Sequence, residues 1–343
     1  MSADLDATVD QARAALEQGD FEGAQRLLEA AATGGANMED PRLLHLGALL
    51  AWAGGDIDEA VSSFERALAA KPVEPRLYVD AGELYADMMN FDDAEDVLRT
   101  ALEREDLELN KEDRAEVLLL LAQTRLAHLD ADPEEALELL DQIDPSLHTD
   151  PAWVSVRAAA LAGLGRAEEG EGLLAGAVER ETDPEAGAEL LYQLGLAQRA
   201  TGKVDAAVES WLALRRRDLA QLEVDADAEL EADERDDLQR QLEDVLESLP
   251  DPVLKLVATA PIRVERWVSE AMIRGGYDPR SAVIFEGRPS TDDAAAELQG
   301  IVLFRDMIVA EIDSDEEIAD AIVESLVNEL DRFFDIEGLV PGV

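Results

Sequence analysis

The sequence predicts a mainly α-helical protein, in which an α-solenoid of stacked helical hairpins is followed by a small α+β domain. The main observation is a small residue that recurs at intervals of about 34 residues, the length of a common helix–turn–helix repeat. Apolar residues make up 47% of the 343 residues but aromatic residues only 4%, and much of the rest is Ala and Leu, which suit closely packed helices. The recurring small residues are Ala24, Ala60, Ala94, Ala136, Gly170 and Ala207.

Each period predicts two antiparallel helices, and its clearest second helix is DIDEAVSSFERAL, with Ala60, Phe64 and Ala67 at helical spacing. Two helices approach closely only where the facing residues are small, and large apolar residues fill the space beside them. Turn pairs such as Gly55-Asp56 end one helix and begin the next. The pattern predicts five regular hairpins and an irregular fourth one, in which Ile143 replaces the small residue.

This pattern resembles the tetratricopeptide repeat (TPR), and the first-helix residues Tyr78, Gly82 and Tyr85 fit that resemblance. It implies a superhelix whose first helices line a concave groove for a protein or peptide. For Trp52, packing against a neighbouring hairpin is the alternative to a place in the groove. Carried over residue by residue, the resemblance assigns these groove side chains: Arg42, His45, Leu49, Trp52, Arg76, Val79, Glu83, Tyr192 and Arg199.

The charge restricts the classes of partner. The chain has 79 acidic and 29 basic residues, a formal net charge of −50. Such a field repels nucleic acid and the anionic face of a membrane, so neither is expected as a partner. Because Arg42, His45, Arg76 and Arg199 would lie inside an otherwise anionic molecule, the groove predicts an acidic or mixed peptide ligand.

The composition also bears on the environment of the protein. There is no cysteine, so neither disulfides nor thiolate ligands are expected. The acidic start does not read as a signal peptide and no apolar run is long enough to cross a membrane, which predicts a cytoplasmic protein. A low number of lysines among many carboxylates resembles the composition of salt-adapted, halophilic proteins. An ordinary acidic cytosolic protein is the alternative.

No cofactor is predicted. The basic triplet 215–217 is read as a helix end rather than as a phosphate site.

The predicted domain organisation has three parts. Residues 4–217 hold the repeats, 218–248 form a charged capping or linker helix, and 249–343 form the α+β domain. In this last part β-like runs begin at Ile262, Ala282 and Ile301. A final helix is predicted from about Asp315, with Ser314 as its cap, to about Phe334.

The C-terminal part resembles the minimal zincin-like metallopeptidases. Four segments carry this resemblance: LPDPVLKLV, VIFEGRPS, GIVLFRD and IVESLVNELDRFFDIEGL. In that family the final helix carries a HExxH motif, whose two histidines bind Zn²⁺ while the glutamate polarises the bound water. The resemblance therefore implies a zincin-like fold for residues 249–343.

The zinc ligands of that motif are missing. The matching segment is NELDR, so Asn328 and Arg332 stand at the histidine positions and only Glu329 is kept. The family glycine is replaced by Asp335. A permanent cation at Arg332 opposes a metal, so neither a catalytic residue nor a metal site is predicted, and Glu329 is read as an ion-pair partner of Arg332.

Two functions remain open. The leading hypothesis is a non-catalytic protein-binding scaffold, or adaptor, with a TPR groove and a pseudo-metallopeptidase domain. The alternative is a metallopeptidase with an atypical metal site. An oxygen-ligand site from Glu329, Asp331, Asp335 and Glu337 is the weakest option, because these residues do not share one helix face.

Overall fold

The computed structural model describes residues 2–70, 74–221, 230–290, 295–310 and 318–334. These residues form seventeen α-helices and three β-strands, so the prediction of a mainly α-helical protein is confirmed. The chain divides into two compact units, Met1–Arg180 (unit 1) and Glu181–Val343 (unit 2).

Unit 1 is a solenoid of five helical hairpins, in which each helix packs against the next along the chain. Its helices are α1 (Ser2–Glu17), α2 (Phe21–Thr33), α3 (Pro41–Ala53), α4 (Ile57–Ala69), α5 (Pro75–Asp87), α6 (Phe91–Glu103), α7 (Lys111–Ala127), α8 (Pro133–Leu140), α9 (Pro151–Gly163) and α10 (Ala167–Arg180). The fourth hairpin is the irregular one, as predicted, because α8 is only eight residues long.

Aspartate caps begin many of these helices. The side chain of Asp40 accepts a hydrogen bond from the backbone N–H of Arg42 at 3.1 Å, and Asp56 accepts one from Glu59 at 3.2 Å. A carboxylate at this place satisfies a free backbone donor and also suits the positive end of the helix dipole. Part of the acidic composition of the chain is therefore used to define helix starts.

The recurring small residues lie where the sequence places them, on the second helix of each hairpin, and all are buried. The first helix of a hairpin also has a small residue where it meets the second helix. In the third hairpin this residue is Gly82, where an added Cβ would lie 2.8 Å from the Cδ2 atom of Leu98 on α6. Gly195 is in the same position in the sixth hairpin, since an added Cβ would lie 2.1 Å from the Trp211 indole nitrogen. Small residues thus set the distance between the two helices of a hairpin.

The turns inside most of the hairpins contain a residue in the left-handed conformation. Gly55 has a φ of 75° in the second hairpin, and its counterpart in the third hairpin is Met89, with a φ of 55°. Glycine adopts this conformation without a steric penalty, whereas a residue with a Cβ atom does not. The side chain of Met89 is 75% exposed, so no packing compensates the turn.

Unit 2 contains the sixth hairpin, the sheet and the remaining helices. Its elements are α11 (Pro184–Ala200), α12 (Val204–Gln221), α13 (Ala232–Ser248), α14 (Asp251–Val257), β1 (Ile262–Glu265), α15 (Glu270–Arg274), β2 (Val283–Arg288), β3 (Glu297–Phe304), α16 (Arg305–Val309) and α17 (Ile318–Phe334). The predicted boundaries at 217 and 248 stay a prediction. The predicted helix start at Ser314 and Asp315 lies outside the described residues.

The three strands form one mixed sheet in the order β1-β3-β2. Strand β1 pairs parallel to β3, with Ile262 opposite Ile301, and β2 pairs antiparallel to β3, with Val283 opposite Leu303. All three β-like runs of the sequence are therefore strands. Their apolar side chains form a core with α13, α14 and α17.

Helix α17 covers the sheet with its apolar side. Ile322, Leu326 and Leu330 are fully buried in this core. The ring of Phe333 meets the ring of Phe285 on β2 edge to face, with centroids 5.6 Å apart. This packing holds the NELDR segment against the edge of the sheet.

Candidate functional site

Polar contacts join the first helices of successive hairpins in unit 1. The Arg42 guanidinium donates to Asp6 of α1 at 2.5 Å, and the Nε2 atom of His45 lies 2.6 Å from the Oδ2 atom of Asp80 on α5. Arg76 of α5 donates to the Oδ1 atom of the same Asp80 at 2.5 Å and to Glu116 on α7. We call the side of α1, α3, α5 and α7 that carries these contacts the first-helix face.

Carboxylates outnumber the cations on the first-helix face. Arg76 contacts Asp80 and Glu116, and Glu83 lies 3.7 Å away. Burial alone would lower the pKa of Arg76, but the neighbouring carboxylates raise it overall. Burial raises the pKa of Glu83, and although Arg76 lowers it, Asp80 and Glu116 add to the rise. Arg76 is therefore neutralised from several sides.

The predicted groove residues of unit 1 differ in accessibility. His45 and Val79 are 2% and 1% exposed and belong to the interior. Leu49 and Trp52 are half-buried and pack against the core between α3 and α5. Arg42, Arg76 and Glu83 keep part of their side chains accessible. Only some of these residues are thus placed to touch a partner, and the groove assignment stays a prediction.

The other two predicted groove residues belong to unit 2. The hydroxyl group of Tyr192 donates to the Oδ2 atom of Asp278 at 2.9 Å, and burial together with Asp278 raises the pKa of Tyr192. The guanidinium carbon of Arg199 lies 5.3 Å from the centroid of the Trp211 ring. Arg199 forms no ion pair with any residue that the structure describes.

A polar cavity of about 450 Å³ lies in unit 2, between α11, the segment 276–283 and α17. Asn328, Glu329 and Arg332 of the NELDR segment line it, together with Arg199. The sequence contains no signal for this cavity, because its walls come from segments that are distant along the chain. We call it the Arg199–Arg332 cavity.

Glu329 ties α17 to the sheet. It is 7% exposed, and its Oε1 atom accepts the backbone N–H of Phe285 at 3.0 Å. Arg332 donates to both oxygens of Glu329, at 2.6 Å and 2.5 Å, and these hydrogen bonds raise the pKa of Arg332 even though burial opposes the shift. The predicted ion pair between the two residues is confirmed, so both carboxylate oxygens are already occupied.

Within the described ranges, no group of three or more histidine or acidic side chains is arranged to hold a metal ion. Asp335 and Glu337 of the conjectured oxygen-ligand site lie outside those ranges. All three histidines belong to unit 1. His148 stacks on Trp153 with ring centroids 4.2 Å apart, and His128 lies 3.3 Å from Asp92.

The basic triplet has internal partners. Arg215 donates to the backbone oxygen of Val268 at 2.9 Å, and Arg216 to that of Leu212 at 3.0 Å. These internal contacts argue against a phosphate site. Because α12 continues to Gln221, the triplet lies inside the helix, and the prediction that it ends the helix is wrong. No helix in the described part of the chain combines the length and the apolar character that crossing a membrane requires.

Comparison with known families identifies the repeat type of the first hairpins. Family models of the tetratricopeptide repeat match residues 9–75 and 51–110. These residues carry tetratricopeptide repeats. The TPR prediction is therefore confirmed for residues 9–110, whereas no match supports a zincin-like domain in the C-terminal part. A search of curated protein sequences found no significant match.

The solved structures that resemble the chain include PilF and PilW. PilF of Pseudomonas aeruginosa superposes with a TM-score of 0.51 at 17% identity, over 63% of this chain and 92% of that one. PilW, described as a widely conserved type IV pilus biogenesis factor, has a TM-score of 0.50 at 16% identity, over 64% and 94% of the two chains. At such identities the likeness shows the fold alone.

Proposed function

We propose that the protein is a non-catalytic scaffold whose first-helix face in unit 1 holds a segment of a partner protein. TPR hairpins typically bind proteins or peptides. The observation that supports the proposal is the series of polar contacts from Asp6 to Arg42, and from His45 through Asp80 and Arg76 to Glu116. These contacts hold the first helices in fixed positions, and such preorganisation lowers the cost of binding.

The charges of this face favour a basic partner segment. Arg42 and Arg76 are already neutralised by carboxylates, so they do not provide the free cations that an acidic peptide would need. Glu83 and Glu116 remain about two-fifths exposed. The half-buried Trp52 and Leu49 add apolar surface. We therefore replace the expectation of an acidic or mixed ligand by a segment with Lys or Arg beside apolar residues.

Selection from a library of random peptides tests this function. Peptides enriched on the full chain should carry Lys or Arg with apolar residues, and the double variant Glu83→Lys/Glu116→Lys should weaken their binding about tenfold or more, because two attractive charges are reversed. The matched control is Glu65→Lys/Glu103→Lys, which changes exposed glutamates on the second helices α4 and α6. Enrichment of acidic peptides, or equal binding by both double variants, contradicts the proposal.

For the C-terminal part we infer a domain kept for its shape, a degenerate zincin-like domain over residues 249–343. Its support is the Arg332 cation bound to both oxygens of Glu329, where a zincin would need a free carboxylate beside a metal. Metal analysis of protein purified without chelator, with peptidase assays on Glu329→Gln, tests this inference. Stoichiometric zinc, or an activity abolished by that substitution, would favour the atypical metallopeptidase instead. A cytoplasmic location stays a prediction.

A further inference from the structure

We propose that the Arg199–Arg332 cavity of unit 2 is a second binding site, which takes the carboxylate group of a small organic acid or of a peptide end. The proposal is independent of the first-helix face. It begins from the volume of about 450 Å³, because small-ligand sites in proteins range from about 300 to 1,000 Å³. A cavity of this size holds a carboxylate together with the organic body that carries it.

Two acidic residues of the cavity, Asp278 and Glu329, already accept hydrogen bonds from the protein. Asp278 accepts the Tyr192 hydroxyl with its Oδ2 atom and the backbone N–H of Arg280 with its Oδ1 atom, at 2.9 Å and 2.8 Å. Glu329 accepts the backbone N–H of Phe285 and both donors of Arg332. Each oxygen of both carboxylates thus already accepts at least one hydrogen bond from the protein.

The cations of the cavity keep free donors. Arg199 rests on the Trp211 ring and pairs with no described carboxylate. Arg332 uses its Nε and Nη2 atoms for Glu329, so its charge is neutralised, but its Nη1 donors are left for a ligand and its side chain is 57% exposed. Arg199 therefore supplies the cation that is unpaired among the described residues. Because the pairing with Glu329 fixes the orientation of the Arg332 guanidinium group, little entropy is lost when it binds an anion.

Neutral donors complete the lining. Tyr277, Ser281, Ser325 and Asn328 line the same cavity and carry hydroxyl or amide groups. Together with the unused donors of Arg199 and Arg332, these groups give the cavity several donors for a carboxylate. The third acidic residue of the lining, Glu324, is exposed, and its charge opposes the binding of an anion.

The net charge of the whole chain favours the binding of a monoanion over that of a dianion. With a net charge of −50, the protein repels a dianion more strongly than a monoanion. A carboxylate, with one charge and a planar shape that matches a guanidinium fork, is therefore favoured over phosphate.

Binding of defined probes to the full chain tests the site. The probes are an acetylated tripeptide of Ala and Leu with a free carboxylate, the same tripeptide as its amide, acetate and inorganic phosphate. Binding is followed through the backbone amide signals of Tyr277 and Asp278 in NMR titrations. We expect the free carboxylate to bind and the amide to bind at least about tenfold more weakly, because a charge-assisted hydrogen bond is lost.

Variants with opposite expected signs make this test specific. Arg199→Gln should weaken carboxylate binding about tenfold, whereas Glu324→Gln should strengthen it about two- to threefold, because it removes a repelling charge. The control is Arg274→Gln, an exposed arginine of unit 2 outside the cavity, which should change nothing.

The outcomes separate the sources of the carboxylate. Tighter binding of the tripeptide than of acetate indicates a peptide end, and equal binding indicates a small acid, both of which support the site. The proposal is wrong if no probe binds, if the amide binds as well as the acid, if phosphate binds more tightly than the carboxylates, or if Arg199→Gln binds like the control.

Discussion

Unit 1 and unit 2 use the same chemistry, arginine or histidine against carboxylate, at very different distances along the chain. In unit 1 the partners stand about one repeat apart: 36 residues for Asp6 and Arg42, 35 for His45 and Asp80, and 36 for Arg99 and Glu135. In unit 2 they are 91 residues apart for Glu189 and Arg280 and 71 for Glu234 and Arg305. A repeat makes contacts periodic, whereas a single mixed sheet brings distant segments together without a period.

The largest expected effect distinguishes the two cores. Phe64 on α4 and Phe285 on β2 are both fully buried, and replacing either by Ala should cost about 3 to 5 kcal/mol of unfolding free energy. Because repeat hairpins contact mainly their neighbours, Phe64→Ala should speed hydrogen exchange in α3 to α6 and spare the strands. Phe285→Ala should do the reverse. Equal acceleration in both units after either change would contradict this separation.

The second expected effect concerns the periodic contacts. Asp80→Ala removes an acceptor shared by His45 and Arg76, and since Asp80 is buried, the loss should be about 2 to 3 kcal/mol in urea unfolding. Asp278→Ala, at a half-buried site in unit 2, should cost about 1 to 2 kcal/mol. A double-mutant cycle of His45→Ala with Asp80→Ala should reveal a coupling of about 1 kcal/mol or more. A coupling near zero would show that the pair does not stabilise unit 1.

Salt should act on both units alike, because carboxylate repulsion is spread over the whole chain. Thermal unfolding followed from about 0.1 M to about 3 M salt should show a rising melting temperature, since screening shortens the range of the repulsion. A melting temperature that stays flat or falls would count against the predicted adaptation to salt.

A smaller effect is expected at the third hairpin turn. Met89→Gly should stabilise the protein by about 0.5 to 1 kcal/mol, because glycine adopts the observed positive φ without strain. The neighbouring Met88, with a φ of −75°, serves as the control. Met88→Gly should destabilise by about 0.5 to 1 kcal/mol, since it only adds freedom to the unfolded chain. The same sign for both substitutions would show that backbone strain does not limit this turn.

The smallest effect is a pH dependence at Glu83. Burial raises its pKa in the folded state, so its contribution to stability is complete below its ordinary value of 4.5 and is lost as pH rises through the folded value. Glu83→Gln should therefore raise the melting temperature by about 1 to 2 °C near neutral pH, with a smaller gain at about pH 5. Glu65→Gln, at an exposed site on α4, removes the same charge without the burial. An equal gain from both variants would assign the effect to net charge alone.

The hairpins were predictable because their packing is local and repeated. Ala60, Phe64 and Ala67 stand at helical spacing within a single helix, and the turn at Gly55 has its own composition. The buried state of His45 and Val79 was not predictable, because the family register places a residue on a helix but does not show how closely the next hairpin covers it. For the same reason the sequence did not predict that carboxylates of α5 and α7 neutralise Arg76.

By itself, the sequence determined the helical repeats, the three strands, the apolar side of the last helix and the Glu329–Arg332 pair. Each of these depends on neighbours within a few residues or on a regular period, so the pattern of residue types contains the answer. Only the tertiary structure decided that Arg199 shares a cavity with Arg332, and that Tyr192 holds Asp278, 86 residues away. Contacts of this kind follow from how distant segments pack together, and no local spacing encodes them.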